Sequence, residues 1–231
     1  MRIAVASDLH IGSPHVPLAR LPRIVEAINA SGADLILLGG DYLVARVLGG
    51  RFVPAEIVVR GLAGLKAPLG VYAVLGNHDR RRGRAPASIA AFAGGHPRLL
   101  ENRAVRIASA GGTFWLVGLG DWKHGSPDVS RTLAQVSDDG PVIALTHNPD
   151  LFPHLPERVA LTVCGHTHIG QVRLPLIGAP YTASRHGQRY ARGLIREGRK
   201  QLFVSAGIGT SWLPVRFGAP PEIAVLRITR R

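Results

Sequence analysis

Five short apolar segments of this chain are each followed closely by a residue that can bind a metal ion. The segments are rich in Val, Ile, Leu and Ala, a composition typical of strands buried on both faces of a sheet. Open α/β sheets place their functional groups just beyond the carboxyl ends of such strands. The sequence therefore predicts one polar site built from five strand ends. In chain order these are 4–6 with Asp8 and His10, 35–38 with Asp41, 71–75 with Asn77, 142–145 with His147, and 161–164 with His166 and His168.

Apolar residues at helical spacing occupy 18–28 and 57–65, between the first three of these segments. Strands that alternate with helices favour parallel pairing, with the helices packed on the faces of the sheet. We predict an α/β fold of one domain over residues 1–231, a four-layer α/β/β/α sandwich of two mixed sheets flanked by helices. The last third lacks helical periodicity and is punctuated by Gly and Pro. Its predicted strands are 171–174, 193–196, 201–205 and 222–229.

The residues at the strand ends combine carboxylate, imidazole and amide donors. This mixture suits borderline divalent ions, and we predict Mn²⁺ first, with Fe, Zn or Co as alternatives. Seven groups are too many for one ion that must also hold water and substrate, whereas two ions that share a carboxylate can use them all. Sites with two such ions about 3.5–4 Å apart serve phosphoryl chemistry. Two carboxylates against two divalent ions leave a net positive site, which favours an anionic substrate such as a phosphate ester.

The chain carries 28 Lys and Arg against 15 Asp and Glu, a formal net charge of +13. A field of this sign concentrates nucleic acid, acidic phospholipid and phosphorylated small molecules alike. The charge is scattered, apart from residues 80–84 and the closing pair Arg230 and Arg231. No apolar run approaches the ~18 residues of a membrane span, and the single Cys164 excludes an internal disulfide. We predict a cytoplasmic protein that could contact the inner face of the membrane peripherally.

The order of these motifs resembles the calcineurin-like metallophosphoesterase superfamily. Its signature is an Asp-x-His, a Gly-Asp, a Gly-Asn-His-Asp or Glu, a lone His and a Gly-His-x-His. All five are present in that order over residues 8–168, which makes the resemblance specific. In this chain they are Asp8-Leu9-His10, Gly40-Asp41, Gly76-Asn77-His78-Asp79, His147 and Gly165-His166-Thr167-His168.

The resemblance implies a role for each motif residue. One metal would be held by Asp8, His10 and His168, and the other by Asn77, His147 and His166, with Asp41 bridging the two. A hydroxide between the metals would attack phosphorus in line. His78 would lie near the leaving-group oxygen as an acid or charge stabiliser, and Asp79 would orient its ring through a hydrogen bond.

A closer resemblance covers almost the whole chain and points to one branch of the superfamily. That branch includes the bacterial YkuE and YaeI phosphoesterases and a pyrophosphatase that acts on UDP-2,3-diacylglucosamine in lipid A synthesis. Ile169 stands where the branch usually has Gly, which predicts a differently shaped turn beside the substrate mouth. The motifs that carry the resemblance are 146–150, 165–171, 207–209 and 214–217.

We therefore predict a two-metal hydrolase of a phosphodiester or pyrophosphate bond, with a phosphorylated small molecule or glycolipid as substrate and no protein partner. Arg80, next to the catalytic turn, and Arg185 and Arg189, in a loop after the last motif, are predicted substrate contacts. The apolar stretch 42–47, with Phe52 and Val53, is either core or a lipid groove. The alternatives are a nuclease or nucleotide phosphodiesterase, a phosphoprotein phosphatase and a non-catalytic scaffold.

Overall fold

The computed structural model describes residues 1–229, so the closing pair Arg230 and Arg231 lies outside the described residues. The α-helices of this part are α1 (Leu21–Ala30), α2 (Ala55–Leu62), α3 (Asn77–Arg80), α4 (Ala85–Ala91) and α5 (Val129–Leu133). Its strands are β1 (Arg2–Ala6), β2 (Leu35–Leu38), β3 (Val71–Ala73), β4 (Arg98–Leu99), β5 (Arg103–Ser109), β6 (Gly112–Gly118), β7 (Val142–Leu145), β8 (Val159–Cys164), β9 (Gly193–Glu197), β10 (Lys200–Val204) and β11 (Ala224–Arg227).

The strands form two mixed sheets. The first has five strands in the order β11-β1-β2-β3-β4, and the second has six in the order β5-β6-β7-β8-β10-β9. In the first sheet β1, β2 and β3 run parallel, as do β6, β7, β8 and β10 in the second. Strand β11 returns from the end of the chain and pairs antiparallel with β1.

Side chains from the inner faces of the two sheets pack against each other. Alternation along β1 and β2 sends Ile3, Val5 and Leu37 into this layer, where they meet Leu116 and Val163 of the second sheet. Burying these two faces stabilises the fold by about 25 cal/mol per Å² of apolar surface removed from water. The contact holds the two sheets face to face.

Helices cover the outer faces. The opposite side of β1 and β2 packs on α1 and α2 through residues such as Ile28 and Leu62, which are fully buried. On the second sheet, Trp115 and Val142 pack with a layer around α5. This arrangement confirms the predicted α/β sandwich of two mixed sheets flanked by helices.

One predicted strand is wrong. Residues 171–174 form only isolated bridges, Val172 with Phe217 and Leu174 with Gly178. Gln171 lies in the left-handed region with φ of 60°, which interrupts an extended conformation before a ladder can form. The segment therefore runs as an irregular loop beside the site.

None of the helices described in 1–229 is long and apolar enough to cross a membrane.

Candidate active site

The carboxyl ends of β1, β2 and β3 meet those of β7 and β8 where the two sheets adjoin, and all seven strand-end residues converge there. Three overlapping groups of side chains can be defined, and within each group the ligand-type atoms lie within 4.8 Å of one another. The groups are Asp8, His10 and His168; His10, Asp41 and His78; and Asp41, His147 and His166. The amide oxygen of Asn77 completes the set, 3.2 Å from Nε2 of His147.

Sharp turns after the strands aim these side chains inward. Five of the seven residues occupy the left-handed backbone region, which non-glycine residues seldom enter. Such conformations cost of order 1–3 kcal/mol each and persist where surrounding structure holds them. The five are Asp8 (φ 53°), His10 (45°), Asp41 (55°), His166 (73°) and His168 (52°).

Two motif glycines let the backbone approach the carboxylates closely. A Cβ built on Gly76 would clash with Oδ1 of Asp41, and one on Gly165 would clash with Oγ of Ser7 and Oδ2 of Asp8. Neither position has room for a side chain. The Gly-Asn-His-Asp and Gly-His-x-His motifs therefore need glycine because the side chains of Asp41, Ser7 and Asp8 occupy that space.

Asp41 lies between the two halves of the site. Its Oδ2 is 3.7 Å from Nε2 of His10 on one side and 3.3 Å from Nε2 of His147 on the other. Its Oδ1 accepts the backbone N–H of His78 at 2.7 Å. One carboxylate thus faces both groups of nitrogen donors.

Hydrogen bonds of His147 and His166 join the sheets and orient the donors. Nδ1 of His147 lies 2.7 Å from the carbonyl oxygen of Gly39, which directs its Nε2 toward Asp41. The backbone N–H of His166 donates to both oxygens of Asp8 at 3.1 and 3.0 Å. Outer contacts of this kind fix the ring nitrogen that a metal would meet.

Most of the histidines are held neutral. Burial lowers the pKa of His10 to about 4, and burial with neighbouring positive charge lowers the pKa of His166 and His168 well below the usual value. The neutral imidazole is the form that binds a metal ion. The site therefore presents these rings ready for a cation.

His147 and Asp41 behave as a charged pair. Burial alone would raise the pKa of Asp41, but the charges of His147 and His78 hold it well below its usual range. Burial opposes protonation of His147, yet the adjacent Asp41 raises its pKa to about 10. A bound cation would take over the role of that proton.

The donor set fits divalent cations. Asp8 and Asp41 are fully or almost fully buried, at 0 and 1 % exposure. Within residues 1–229 their ion-pair partners are His168, His10 and His147 rather than Lys or Arg. Buried carboxylates need compensating charge, and metal coordination is one way to supply it.

A cavity of about 570 Å³ opens on this cluster. Asp41, Asn77, His78, His166 and His168 form its polar floor. Its walls are formed by Arg81, Lys123, Thr167, Gly170, Gln171, Val172, Tyr181, Ala183, Ser211, Trp212, Leu213 and Val215. The volume lies in the range of ligand-binding clefts.

Residues 1–170 match the family model of the calcineurin-like phosphoesterases, and this stretch contains every residue of the metal-type cluster. The chain belongs to the calcineurin-like metallophosphoesterases. It is therefore a hydrolase of phosphoric esters, and its fold implies divalent metal ions at the cluster.

Several curated relatives match this metallophosphoesterase over almost its whole length. The metallophosphoesterase YkuE of Bacillus subtilis is 32% identical, over 98% of this chain and 78% of its own. Phosphodiesterase YaeI of Escherichia coli is also 32% identical, over 98% of this chain and 82% of its own. The UDP-2,3-diacylglucosamine pyrophosphatase LpxG of Chlamydia trachomatis is 28% identical, over 98% and 83%.

The structure corrects the role predicted for Asp79. Its Oδ2 accepts the backbone N–H groups of Asp41 (2.8 Å) and Gly76 (2.9 Å), and its Oδ1 accepts those of Tyr42 (2.9 Å) and Leu43 (3.1 Å). Four donors from the backbone occupy this carboxylate, and Nδ1 of the His78 ring has no hydrogen-bond partner among the described residues. Asp79 holds the loop that carries Asp41 and does not orient His78.

The three arginines predicted to contact substrate lie elsewhere. Arg80 pairs with Glu101, and Arg189 pairs with Glu197. Neither these two nor Arg185 is among the residues that line the cavity. The adjacent Arg81 lines the wall instead, because the turn after α3 sends successive side chains in different directions.

Sequence reasoning missed Lys123, which lies in the loop between β6 and β7. Its Nζ is 3.1 Å from Nε2 of His166 and donates to the carbonyl oxygen of Ala183 at 3.1 Å. No motif marked this residue in the sequence.

Ile169, predicted to reshape the mouth, is buried against Ala206 and Ala219, so its side chain does not line the cavity.

Proposed function

We propose that this metallophosphoesterase is a two-metal enzyme that cleaves a phosphodiester or pyrophosphate bond. The observation that carries the proposal is that the carboxylate of Asp41 lies between two sets of donors, 3.7 Å from Nε2 of His10 and 3.3 Å from Nε2 of His147. One ion would be held by Asp8, His10 and His168, and the other by Asn77, His147 and His166. Mn²⁺ is the preferred metal, because carboxylate, imidazole and amide oxygen suit it without any thiolate. Bound there, the ions would supply positive charge to the phosphoryl group and lower the pKa of the attacking water.

Two cations of the chain are placed to bind the rest of the phosphate. Lys123 and Arg81 are the only Lys or Arg among the described residues that line the cavity. Their positive charge would bind the phosphate oxygens that face away from the metals. Since both line one cavity from separate segments of the chain, a phosphate bound by both would have its position restricted as well as its charge balanced.

His78 is placed to serve the leaving group. It lines the same cavity, and its Nε2 lies 3.4 Å from Oγ of Ser211 at the wall. Its backbone N–H is already bonded to Asp41, which anchors the residue while its ring remains available. Burial lowers the pKa of this ring. A ring in this position can donate a proton to the departing oxygen or stabilise its negative charge through a hydrogen bond.

The cavity also has an apolar wall, formed in part by Val172, Trp212, Leu213 and Val215. A phosphoester with an apolar group attached would place that group against this wall. UDP-2,3-diacylglucosamine is the candidate substrate, supported by the likeness to LpxG at 28% identity over 98% of this chain. A nucleotide or nucleic-acid phosphodiester is the alternative, supported by the net charge of +13.

The test compares UDP-2,3-diacylglucosamine, bis-p-nitrophenyl phosphate and p-nitrophenyl phosphate as substrates of the Mn²⁺-loaded protein. We expect the pyrophosphate glycolipid and the chromogenic diester to turn over well above the monoester, with UMP release from the glycolipid the fastest. Hydrolysis of the chromogenic diester alone would support the proposed phosphodiesterase reaction and exclude the glycolipid as the substrate. A preference for the monoester would contradict the proposal.

A pair of variants sharpens the same assay. Lys123→Ala is expected to raise KM for the diester about 10-fold or more, the usual worth of a hydrogen bond to a charged group. Arg185→Ala is the matched control and should leave KM unchanged, since Arg185 does not line the cavity. Equal KM values for the two variants would show that Lys123 does not bind the substrate.

A further inference from the structure

The exposed apolar side chains of this protein are concentrated around the mouth of the cavity. Fourteen large hydrophobic residues are exposed in the described part of the chain, and nine of them lie on three segments, 42–53, 171–182 and 211–217. The nine, which we call the apolar rim, are Leu48, Phe52, Leu176, Ile177, Tyr181, Trp212, Leu213, Val215 and Phe217.

Hydrogen bonds join the three segments into one surface. The backbone N–H of Trp212 donates to the carbonyl oxygen of Arg46 at 2.7 Å, and the carbonyl oxygen of Trp212 accepts from the N–H of Leu48 at 2.9 Å. The first and third segments are therefore paired. The backbone N–H of Phe217 donates to the carbonyl oxygen of Gln171 at 2.8 Å, and the carbonyl oxygen of Phe217 accepts from the N–H of Arg173 at 2.7 Å. The second and third segments are therefore paired as well. The apolar rim is therefore a continuous feature of the fold.

The apolar rim and the cavity share residues. Tyr181, Trp212, Leu213 and Val215 line the cavity, yet each is exposed at its outer edge. Beyond them the turn at 174–178 projects outward, and Leu176 at its tip is 108% exposed. Apolar groups this exposed usually mark a surface that another apolar phase covers.

The charge of these segments has one sign. Residues 42–53, 171–182 and 211–217 contain no Asp or Glu but include the exposed Arg46, Arg51 and Arg173. The guanidinium of Arg46 lies 5.9 Å from the ring centroid of Trp212, and that of Arg84 lies 4.3 Å from the ring of Phe52. Aromatic rings beside arginine are typical of groups that settle at the boundary between lipid headgroups and acyl chains.

We propose that the apolar rim docks this enzyme on an anionic phospholipid bilayer, with the cavity opening onto the membrane. The apolar tips would enter the acyl boundary, and the exposed Arg46, Arg51 and Arg173 would meet the lipid phosphates. A lipid-linked phosphoester could then reach the metal cluster without crossing water. The last step rests on the proposed function, whereas the docking itself rests only on the surface.

Other occupants fit the surface less well. A nucleic acid would leave aliphatic side chains such as Leu176 and Ile177 without bases to stack on, because stacking needs aromatic partners. A second copy of the chain would bring two positive surfaces together and close the mouth of both cavities. A bilayer satisfies the apolar groups and the positive charge at once.

The test is flotation of the full chain with vesicles of phosphatidylcholine alone or of an equal mixture with phosphatidylglycerol. We expect binding to the mixed vesicles and much less to phosphatidylcholine alone. Leu176→Ser with Ile177→Ser should lower the partition coefficient at least about 10-fold, since it removes two side chains from the apolar phase. The matched control is Ile57→Ser with Leu194→Ser, which changes an exposed Ile and Leu outside the apolar rim.

Hydrolysis of bis-p-nitrophenyl phosphate is measured on the same samples. Neither pair lines the cavity, so turnover of this soluble substrate should be unchanged. Turnover without vesicle binding, or equal binding by both pairs, would overturn the docking and leave the proposed function standing. Vesicle binding without turnover would overturn the proposed function instead. Retention on DNA, or a dimer lost in the apolar rim variant, in place of vesicle binding would show that another partner covers this surface.

Discussion

Asp41→Asn is expected to abolish turnover and to empty both metal positions. The carboxylate lies 3.7 Å from His10 and 3.3 Å from His147, so it faces both groups of donors. Asparagine keeps the shape of the aspartate side chain but removes the negative charge that the two cations would share. Loss of outer contacts to a metal ligand typically costs 10–100-fold in affinity, and loss of a shared ligand should exceed about 100-fold. The metal content after dialysis and the turnover of bis-p-nitrophenyl phosphate are the measurements.

Asp139→Asn is the control, because it makes the same chemical change at an exposed carboxylate outside the site. It should retain both metals and full activity. Thermal unfolding of the metal-free proteins separates a folding defect from a ligand defect. An Asp41→Asn protein that folds, binds two ions and turns over would show that Asp41 is not shared between them.

His78→Ala is expected to keep the metals and to lower kcat by about 10²–10⁴-fold, the usual contribution of a positioned proton donor. The bond from His78 to Asp41 comes from the backbone N–H, which alanine retains. The effect should grow as the leaving group becomes more basic, because p-nitrophenolate departs without help and an alkoxide does not. Diesters with a series of leaving groups provide the measurement.

The close approach of His78 to His10 and Asp41 gives this experiment a second outcome. Those three residues form one of the three groups with metal-ligand spacing. If His78→Ala loses metal along with activity, His78 is a ligand and not the group that serves the leaving oxygen. His186→Ala, at an exposed histidine, is the control for the loss of an imidazole.

The strand-end pattern predicted the fold because two independent regularities coincide there. Apolar runs such as Leu35–Leu38 are buried throughout, which identifies strands covered on both faces. The polar residue that follows each run then falls at the carboxyl edge, where parallel strands bring their ends together. Position along the chain was therefore enough to place all seven donors in one site.

The role of Asp79 could not be taken from its position beside His78. Adjacent residues of a helix point in different directions, so a neighbour in sequence is seldom a neighbour in space. Asp79 stands three residues after Gly76, at the start of α3, and bonds back to the Gly76 N–H. A carboxylate at this position often caps the helix start, and that pattern was the available signal.

Surface loops were the least predictable part. Arg80 and Arg189 were chosen because they lie close to the motifs along the chain, but each is paired with a glutamate of another segment. Lys123 reaches the site from a loop that carries no motif. The stretch 42–47, with Phe52 and Val53, was predicted as either core or a lipid groove. Tyr42 is buried in the core and Phe52 is 55% exposed, and none of these residues lines the cavity.

The central claim is a pair of metal ions that share one carboxylate, and counting the ions tests it most directly. Metal-free protein would be titrated with Mn²⁺ while bound metal and turnover of bis-p-nitrophenyl phosphate are followed together. We expect two ions per chain at full activity, with turnover rising only as the second ion binds. Full activity with one ion per chain, or with none in the presence of a chelator, would contradict this account.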